Sequence, residues 1–414
     1  MTTSENDHGK AGTGLITRRR FIAGTGASFL AYTVLQPGLV GGAEANSKID
    51  IGLIGCGNRG KWIAALFEKH GGYNIAAVAD YFEDHVNEAG EKFKVPTGHR
   101  YSGLSAYHRL LEQKLDAVVI ESPPYFHPEQ AAAAIAAGKH VYLAKPIAVD
   151  VPGCQTVAES GKKATAQKLC FQVDFQTRAN KLYQDAVKAV HDGEIGKIVS
   201  VEANYQCGMT WDSMDQLLRK DPKNPEVRLR AWGVDRLLSG DVITEQNIHA
   251  LDVACWMLDA EPMRAYGTGG RKREYVGDCW DHFAVIYYFP NDVVVSFNSH
   301  QSGFGYDDIL CRVYGLKGTA DTHYFGNVTV KATDFHSDGN VGNLYSDGVE
   351  TNIATFHDNI TKGECGNPTV PASVRSNLTT ILGRMAAYKN GVVTWHDMMR
   401  AKEKFVPNFK GLKV

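Results

Sequence analysis

Residues 51–60 read Ile-Gly-Leu-Ile-Gly-Cys-Gly-Asn-Arg-Gly, an apolar run that ends in Gly55-x-Gly57-x-x-Gly60. Glycines at this spacing, between a strand-like run and the helical stretch Trp62–His70, demand a tight backbone turn that a bound group can approach closely. A second apolar run, Asn74–Ala79, ends at Asp80, an acidic residue about 20 positions on, as a dinucleotide-binding strand–turn–helix requires. The helix N-terminus supplies unpaired N–H groups and partial positive charge for a pyrophosphate. The Asp80 carboxylate suits the hydroxyls of an adenosine ribose and repels a 2′-phosphate, so NAD is expected rather than NADP. The cofactor-binding candidates here are Gly55, Gly57, Asn58, Arg59, Gly60 and Asp80.

Two further strand signals, Asp116–Glu121 and His140–Leu143, flank the alanine-rich helical stretch His127–Ala137. Strands alternating with helices imply a parallel sheet with right-handed crossovers. The texture changes after about residue 170. A helix over Lys181–His191 precedes a long strand, Lys197–Gln206, an irregular polar segment 208–240, and a helix over Ile243–Leu258. Strand signals then follow at Phe283–Phe289, Val293–Ser299, Ile309–Tyr314 and Asn327–Lys331, with a surface loop at 334–352 and an amphipathic helix at Val374–Lys389. The expected fold is α/β: an N-terminal Rossmann domain over 46–172, then a substrate-binding and oligomerisation α+β domain over 173–414 with a large, mostly antiparallel open sheet. A length of 414 residues accommodates both. Both faces of Phe283–Phe289 carry apolar side chains, so both are expected to be covered, and a homodimer or homotetramer is the simple solution.

Ahead of this, Thr17-Arg18-Arg19-Arg20-Phe21-Ile22 opens a weakly apolar stretch that ends near Ala43-Glu44-Ala45. Residues 1–45 read as a twin-arginine signal peptide, which places the mature chain in the periplasm or outside the cell. No cysteine follows the cleavage site, so no lipid anchor is expected, and the stretch is too polar for a membrane span. A formal net charge of −2 without a basic stripe argues against a nucleic-acid partner. The eight cysteines show no C-x-x-C pair and no regular spacing, so no disulfide framework is expected.

Ligands of such a sheet bind at the carboxyl ends of its strands. Ser122-Pro123-Pro124-Tyr125-Phe126-His127 begins there and forms a stiff loop, which makes Ser122, Pro123 and His127 candidates for the cofactor's ribose side. Lys145 follows the next strand, where its ammonium can hydrogen-bond a substrate hydroxyl and the nicotinamide side of the cofactor. Glu245 and His249, four apart on one expected helix, form a carboxylate–imidazole pair suited to accepting a proton. Asp252 extends this to a spacing that resembles metal ligands, but no further ligand set is evident and no metal is expected. Within 208–240, Trp211, Arg230 and Trp232 mix aromatics with charge, as a sugar-binding surface or a subunit interface does, so Arg230 and Trp232 are substrate candidates.

Together these residues resemble the glucose–fructose oxidoreductase / inositol dehydrogenase / MocA (Gfo/Idh/MocA) family. The likeness rests on Gly55–Gly60, Ser122–His127, the run Ala136–Pro146, Phe175-Gln-Thr-Arg178, His191–Lys197 and Thr394-Trp-His-Asp397. It implies that Lys145 lies near substrate and nicotinamide, and that Arg178 lines the active site. Two positions depart from the pattern: Ala144 stands where the family has Glu before Lys-Pro, and Glu245 stands where it has Asp. The resemblance implies an NAD-dependent oxidoreductase acting on a hydroxyl of a sugar, polyol or glycoside, with Lys145, His249 and Glu245 catalytic. An exported enzyme has little free nicotinamide to exchange with, so a tightly held cofactor and a redox-neutral cycle are expected. The alternatives are an NAD-dependent glycosidase or lyase working by transient oxidation, and a non-catalytic sugar-binding protein.

Overall fold

A computed structural model describes residues 48–303 and 305–414 of the chain. The expected signal segment 1–45 lies outside the described residues. Six strands form a sheet in the order β3-β2-β1-β4-β5-β6: β1 (Ile49–Ile54), β2 (Tyr73–Asp80), β3 (Arg100–Ser102), β4 (Ala117–Ile120), β5 (His140–Ala144) and β6 (Phe171–Asp174). Every pairing is parallel. Ala117–Ile120 is buried throughout, as expected of a strand covered by helices on both faces. β6 has no antecedent in the sequence reading, and it runs across residue 172, where the first domain was expected to end.

The second sheet has nine strands in the order β14-β13-β12-β11-β7-β10-β9-β8-β15. They are β7 (Ile198–Cys207), β8 (Arg264–Gly270), β9 (His282–Tyr288), β10 (Val294–Gln301), β11 (Asp308–Gly315), β12 (Gly318–His323), β13 (Asn327–Ala332), β14 (His336–Asn340) and β15 (Val392–Thr394). Only β7 and β10 pair in parallel, so the sheet is mostly antiparallel, as expected. Phe283, Val285 and Tyr287 of β9 point inward and are buried. The helices Ile248–Leu258 and Thr369–Lys389 cover this face. Approach of the second helix requires Gly383, where an added Cβ would lie 1.9 Å from the Tyr287 hydroxyl. On the outer face Ala284 is exposed and Ile286 and Tyr288 are half-buried.

Four expectations need correction. The helix expected over Ile243–Leu258 is two helices, Val242–Glu245 and Ile248–Leu258. The ladder breaks between them, where Asn247 N–H reaches back five residues to the Val242 carbonyl. Segment 334–352 is not a surface loop: it holds β14 and the start of the helix Leu344–Lys362, whose Leu344, Val349, Ile353 and Phe356 are buried. Its glycine and aspartate content disguised a helix whose stability comes from packing rather than propensity. The segment 208–240 folds into short helices at Asp212–Lys220, Pro225–Arg230 and Arg236–Ser239. Finally, Cys170 and Cys365 form a disulfide across 195 residues of sequence, a pairing that local cysteine spacing cannot reveal.

Candidate cofactor and catalytic site

The glycine turn after β1 is built as the backbone chemistry requires. Gly55 has φ of +95°, and a Cβ there would lie 2.4 Å from the Ser122 nitrogen. A Cβ on Gly60 would lie 1.9 Å from the Gly55 carbonyl oxygen, so the helix Asn58–His70 can only pack this closely with glycine. Gly57 differs: an added Cβ meets nothing within 4 Å, because this residue faces open space. It is also the N-cap of that helix and supplies no capping side chain. The first-turn N–H groups are therefore left for an anion from outside.

They open on a groove of about 840 Å³ walled by Gly55, Gly57, Asn58, Arg59, Gly60, Asp80, Ser122 and Pro123. That volume lies within the range of small-molecule sites. Asp80 is fixed at the end of β2, where its carboxylate accepts from the N–H groups of Cys56 at 2.7 Å and Phe82 at 2.8 Å. Asp80 itself lines the groove, and a carboxylate has about four acceptor positions, so acceptor capacity remains for ribose hydroxyls. A naked helix N-terminus, an open glycine and an oriented carboxylate fit a dinucleotide.

The carboxyl ends of β4, β5 and β6 form the other wall. The pairings Ile120↔Leu143 and Ala144↔Asp174 bring Glu121, Ala144 and Asp174 into one row. Arg59 crosses this row, with Nε 3.1 Å from Glu121 Oε2 and Nη2 2.9 Å from Asp174 Oδ2. Lys145 follows the row. Its Nζ donates to the Glu245 backbone carbonyl at 2.7 Å and to Glu245 Oε1 at 3.2 Å. His249 is buried nearby, its ring 5.5 Å from that of Tyr324. Burial, with the positive charges of Lys145 and Arg59, pushes the His249 imidazole well below its ordinary value. A neutral histidine with an unpartnered buried Nδ1 is a proton acceptor at neutral pH.

The structure thus brings Lys145, Glu245 and His249 together, but not with the expected connectivity. Glu245 and His249 lie on separate helices, and Glu245 bonds to Lys145 rather than to the imidazole. Ser122 and Pro123 line the groove, whereas His127 does not: its ring nitrogens sit 2.7 Å from the carbonyls of Pro146 and Ser122, pinning the two loops together. Arg178 also turns away from the groove. It forks onto Asp252, with bonds from Nε and Nη2 to the carboxylate, and its guanidinium lies over Trp256 at 4.8 Å. Asp252, fully buried, takes a further bond from Ser376 Oγ at 2.7 Å. A carboxylate so satisfied is a packing element, which also removes it from the metal-like spacing with Glu245 and His249.

Arg230 and Trp232 line the groove, but at the Asp80 end rather than beside Lys145. Arg230 forks onto Asp84 with two bonds of 2.9 Å and stacks 3.8 Å over Phe82. Trp232 packs in a cluster with Tyr81, Phe82 and Tyr125. The inserted segment therefore lies at the Asp80 end of the groove. Glu121, Asp174 and Tyr324 escaped the sequence reading. Glu121 had a signal, a lone carboxylate ending an apolar strand; Asp174 had none while β6 went unseen.

Residues 49–175 match the family described as "Oxidoreductase family, NAD-binding Rossmann fold", and residues 183–321 match the GFO/IDH/MocA C-terminal domain. The chain belongs to the GFO/IDH/MocA family. It is thus an NAD-binding oxidoreductase by family, and the shape of its glycine turn agrees with nucleotide binding. Among curated relatives it is 25% identical to the myo-inositol 2-dehydrogenase of Thermotoga maritima over 325 residues, 76% of this chain and 89% of the relative. Among solved structures it resembles levoglucosan dehydrogenase in complex with NADH and levoglucosan (TM-score 0.69, 18% identity, 84% of this chain and 99% of the other). It also resembles the aldose-aldose oxidoreductase of Caulobacter crescentus complexed with glycerol (TM-score 0.67, 19% identity, 84% and 99%). These structural likenesses establish the fold. Among the described residues no helix is long and apolar enough to cross a membrane.

Proposed function

We propose that this protein oxidises a secondary hydroxyl of a sugar or polyol with NAD. One observation carries the reading: Glu245, on the wall of the cofactor groove, holds Lys145, whose charge in turn bears on the buried, neutral His249. Gly55, Gly57, Asn58 and Gly60 would hold the pyrophosphate and Asp80 the adenosine ribose. When bound, the cofactor supplies the hydride acceptor. His249 takes the proton of the substrate hydroxyl, and its burial keeps it unprotonated for that purpose. Lys145 donates a hydrogen bond to the same oxygen and stabilises the negative charge that develops as the proton leaves. Glu245 is a positioning residue here, fixing the ammonium from one side. The inositol and levoglucosan dehydrogenases among the relatives support a ring polyol or sugar as substrate.

Export by the twin-arginine route, with a periplasmic or extracellular destination, remains part of the proposal and rests on Arg18–Phe21 in the sequence. So does a resident cofactor cycling without net release. The groove wall that Leu229, Arg230 and Trp232 add at the Asp80 end supports it. The cofactor belongs to the first sheet in this proposal, and the second sheet supplies substrate contacts and the surface for a homodimer or homotetramer. The test is to incubate NAD-loaded protein with a panel of inositols, aldoses and anhydrosugars and follow the reduced-nicotinamide band. Reduction by at least one, lost in Lys145→Ala, supports the reading. Bound NAD that no member of the panel reduces would count against it.

A further inference from the structure

Glu121 takes no part in the proton transfer assigned to Lys145 and His249, and its setting is unusual. It follows β4 and contributes to the groove wall, yet its side chain is fully buried. Its ion-pair partner is Arg59, whose Nε lies 3.1 Å from Oε2, and neither carboxyl oxygen receives a well-formed hydrogen bond. Arg59 is shared with Asp174, which is better served: Asn352 Nδ2 donates at 2.9 Å and Gln176 Nε2 at 3.3 Å. One guanidinium therefore faces two buried carboxylates. The next cation, Lys145, is already paired with Glu245, so with all the carboxylates ionised the cluster holds one negative charge in excess, away from water, where fields are weakly screened.

The strand order determines what that charge faces. Asp80 at the end of β2 marks the adenosine ribose, and the pyrophosphate belongs at the helix N-terminus after β1. The order β3-β2-β1-β4-β5-β6 leaves the ends of β4, β5 and β6 to the nicotinamide half. An oxidised nicotinamide ring carries a positive charge and a reduced ring carries none. A carboxylate in excess at this wall therefore distinguishes the two oxidation states by charge alone.

We propose that the Glu121 carboxylate, incompletely neutralised by Arg59, is a specificity-determining group that makes this site hold oxidised nicotinamide more tightly than reduced. This rests on the NAD reading above and deepens it. Tighter holding of the oxidised form makes the bound reduced form a stronger hydride donor. A cycle that must return its hydride to a second sugar, with no soluble pool to discharge into, requires that property.

The charged and titratable groups around Glu121 are Arg59 on the helix Asn58–His70, Asp174 on β6, Lys145 after β5 and the Tyr142 hydroxyl on β5. His249, on the helix Ile248–Leu258, faces Lys145 and Arg59 and is kept neutral by burial. Burial raises Glu121 to about 7, with Arg59 and Lys145 pulling the other way and Asp174 adding to the rise. The preference for the oxidised form should therefore grow as the pH rises through this value.

The experiment measures dissociation constants of NAD+ and NADH for the full chain by competition, between about pH 6 and about pH 8.5, a range that brackets the Glu121 value. The ratio of the NADH constant to the NAD+ constant is expected to rise on the order of tenfold across this range. In Glu121→Gln the ratio is expected to lose its pH dependence and to stay at its low-pH value. A ratio that is flat with pH in the wild type overturns the proposal, even if Glu121→Gln fails to fold. So does a ratio that Glu121→Gln leaves unchanged at high pH. Wild-type protein that binds neither nucleotide overturns the NAD reading itself, and this inference with it.

Discussion

Lys145 and Glu245, one hundred residues apart, are joined twice: Nζ lies 2.7 Å from the Glu245 carbonyl oxygen and 3.2 Å from its Oε1. The loop after β5 is thereby fixed to the short helix Val242–Glu245 of the second half of the chain. Lys145→Ala is expected to lower kcat by about 10²- to 10⁴-fold with a much smaller change in KM, since the bond it makes strengthens as the substrate oxygen gains charge. Glu245→Gln keeps the carbonyl contact and loses only the charge partner, so a fall of about tenfold is expected. Steady-state kinetics on the two variants checks both.

His249 sets the acid side of the pH profile. Its folded-state value lies well below that of a free histidine, because burial and the nearby Lys145 and Arg59 disfavour the imidazolium. It therefore stays an acceptor as the pH falls past about 6.5, the ordinary histidine value. The acid limb of kcat/KM should appear below that point. His249→Asn should remove the limb together with most of the rate, leaving about 10⁻² to 10⁻⁴ of it. A limb centred at the ordinary histidine value would contradict the assignment.

Arg178 is expected to matter to folding rather than to substrate. Arg178→Ala strands the fully buried Asp252, and loss of one partner from such a pair costs about 3–5 kcal/mol. Denaturant titration should show this as a lowered midpoint. KM measured on the surviving folded protein should change little.

Glu121 should also leave a mark on stability. Its folded-state value of about 7 lies above that of an unfolded glutamate, so the folded chain binds the proton more tightly. The associated stability is fully present below about pH 4.5 and is lost as the pH rises through about 7, in all about 3 kcal/mol. Glu121→Gln should flatten this part of the stability curve of the cofactor-free protein. Unfolding free energies collected at several pH values for both proteins test it.

The cofactor half of the site is legible in the sequence because its chemistry is local. Gly55, Gly57 and Gly60 act through backbone turns a few residues long, and Asp80 through the strand that carries it. Lys145 is legible for the same reason, as the residue that follows an apolar strand. The rest depends on distant partners. Nothing within a few residues of Arg178 shows that Asp252 will claim it, and nothing near Cys170 points to Cys365. The break at Gln246–Asn247 is hidden because neither residue is a helix breaker such as Gly or Pro, so Glu245 reads as the partner of His249 when it belongs to Lys145. Arg230 and Trp232 have the composition of a sugar site, and tertiary packing carries them beside Phe82, at the Asp80 end of the groove.

Transfer of a substrate hydrogen to bound nicotinamide is the central claim, and isotope labelling tests it most directly. A sugar or polyol that reduces the protein-bound NAD is prepared with deuterium on its carbinol carbon and given a single turnover, and the nicotinamide is recovered for mass spectrometry. One deuterium is expected on the nicotinamide recovered from the wild type, and about 10²- to 10⁴-fold slower labelling from Lys145→Ala. Oxidised product with no deuterium on the nicotinamide would contradict it.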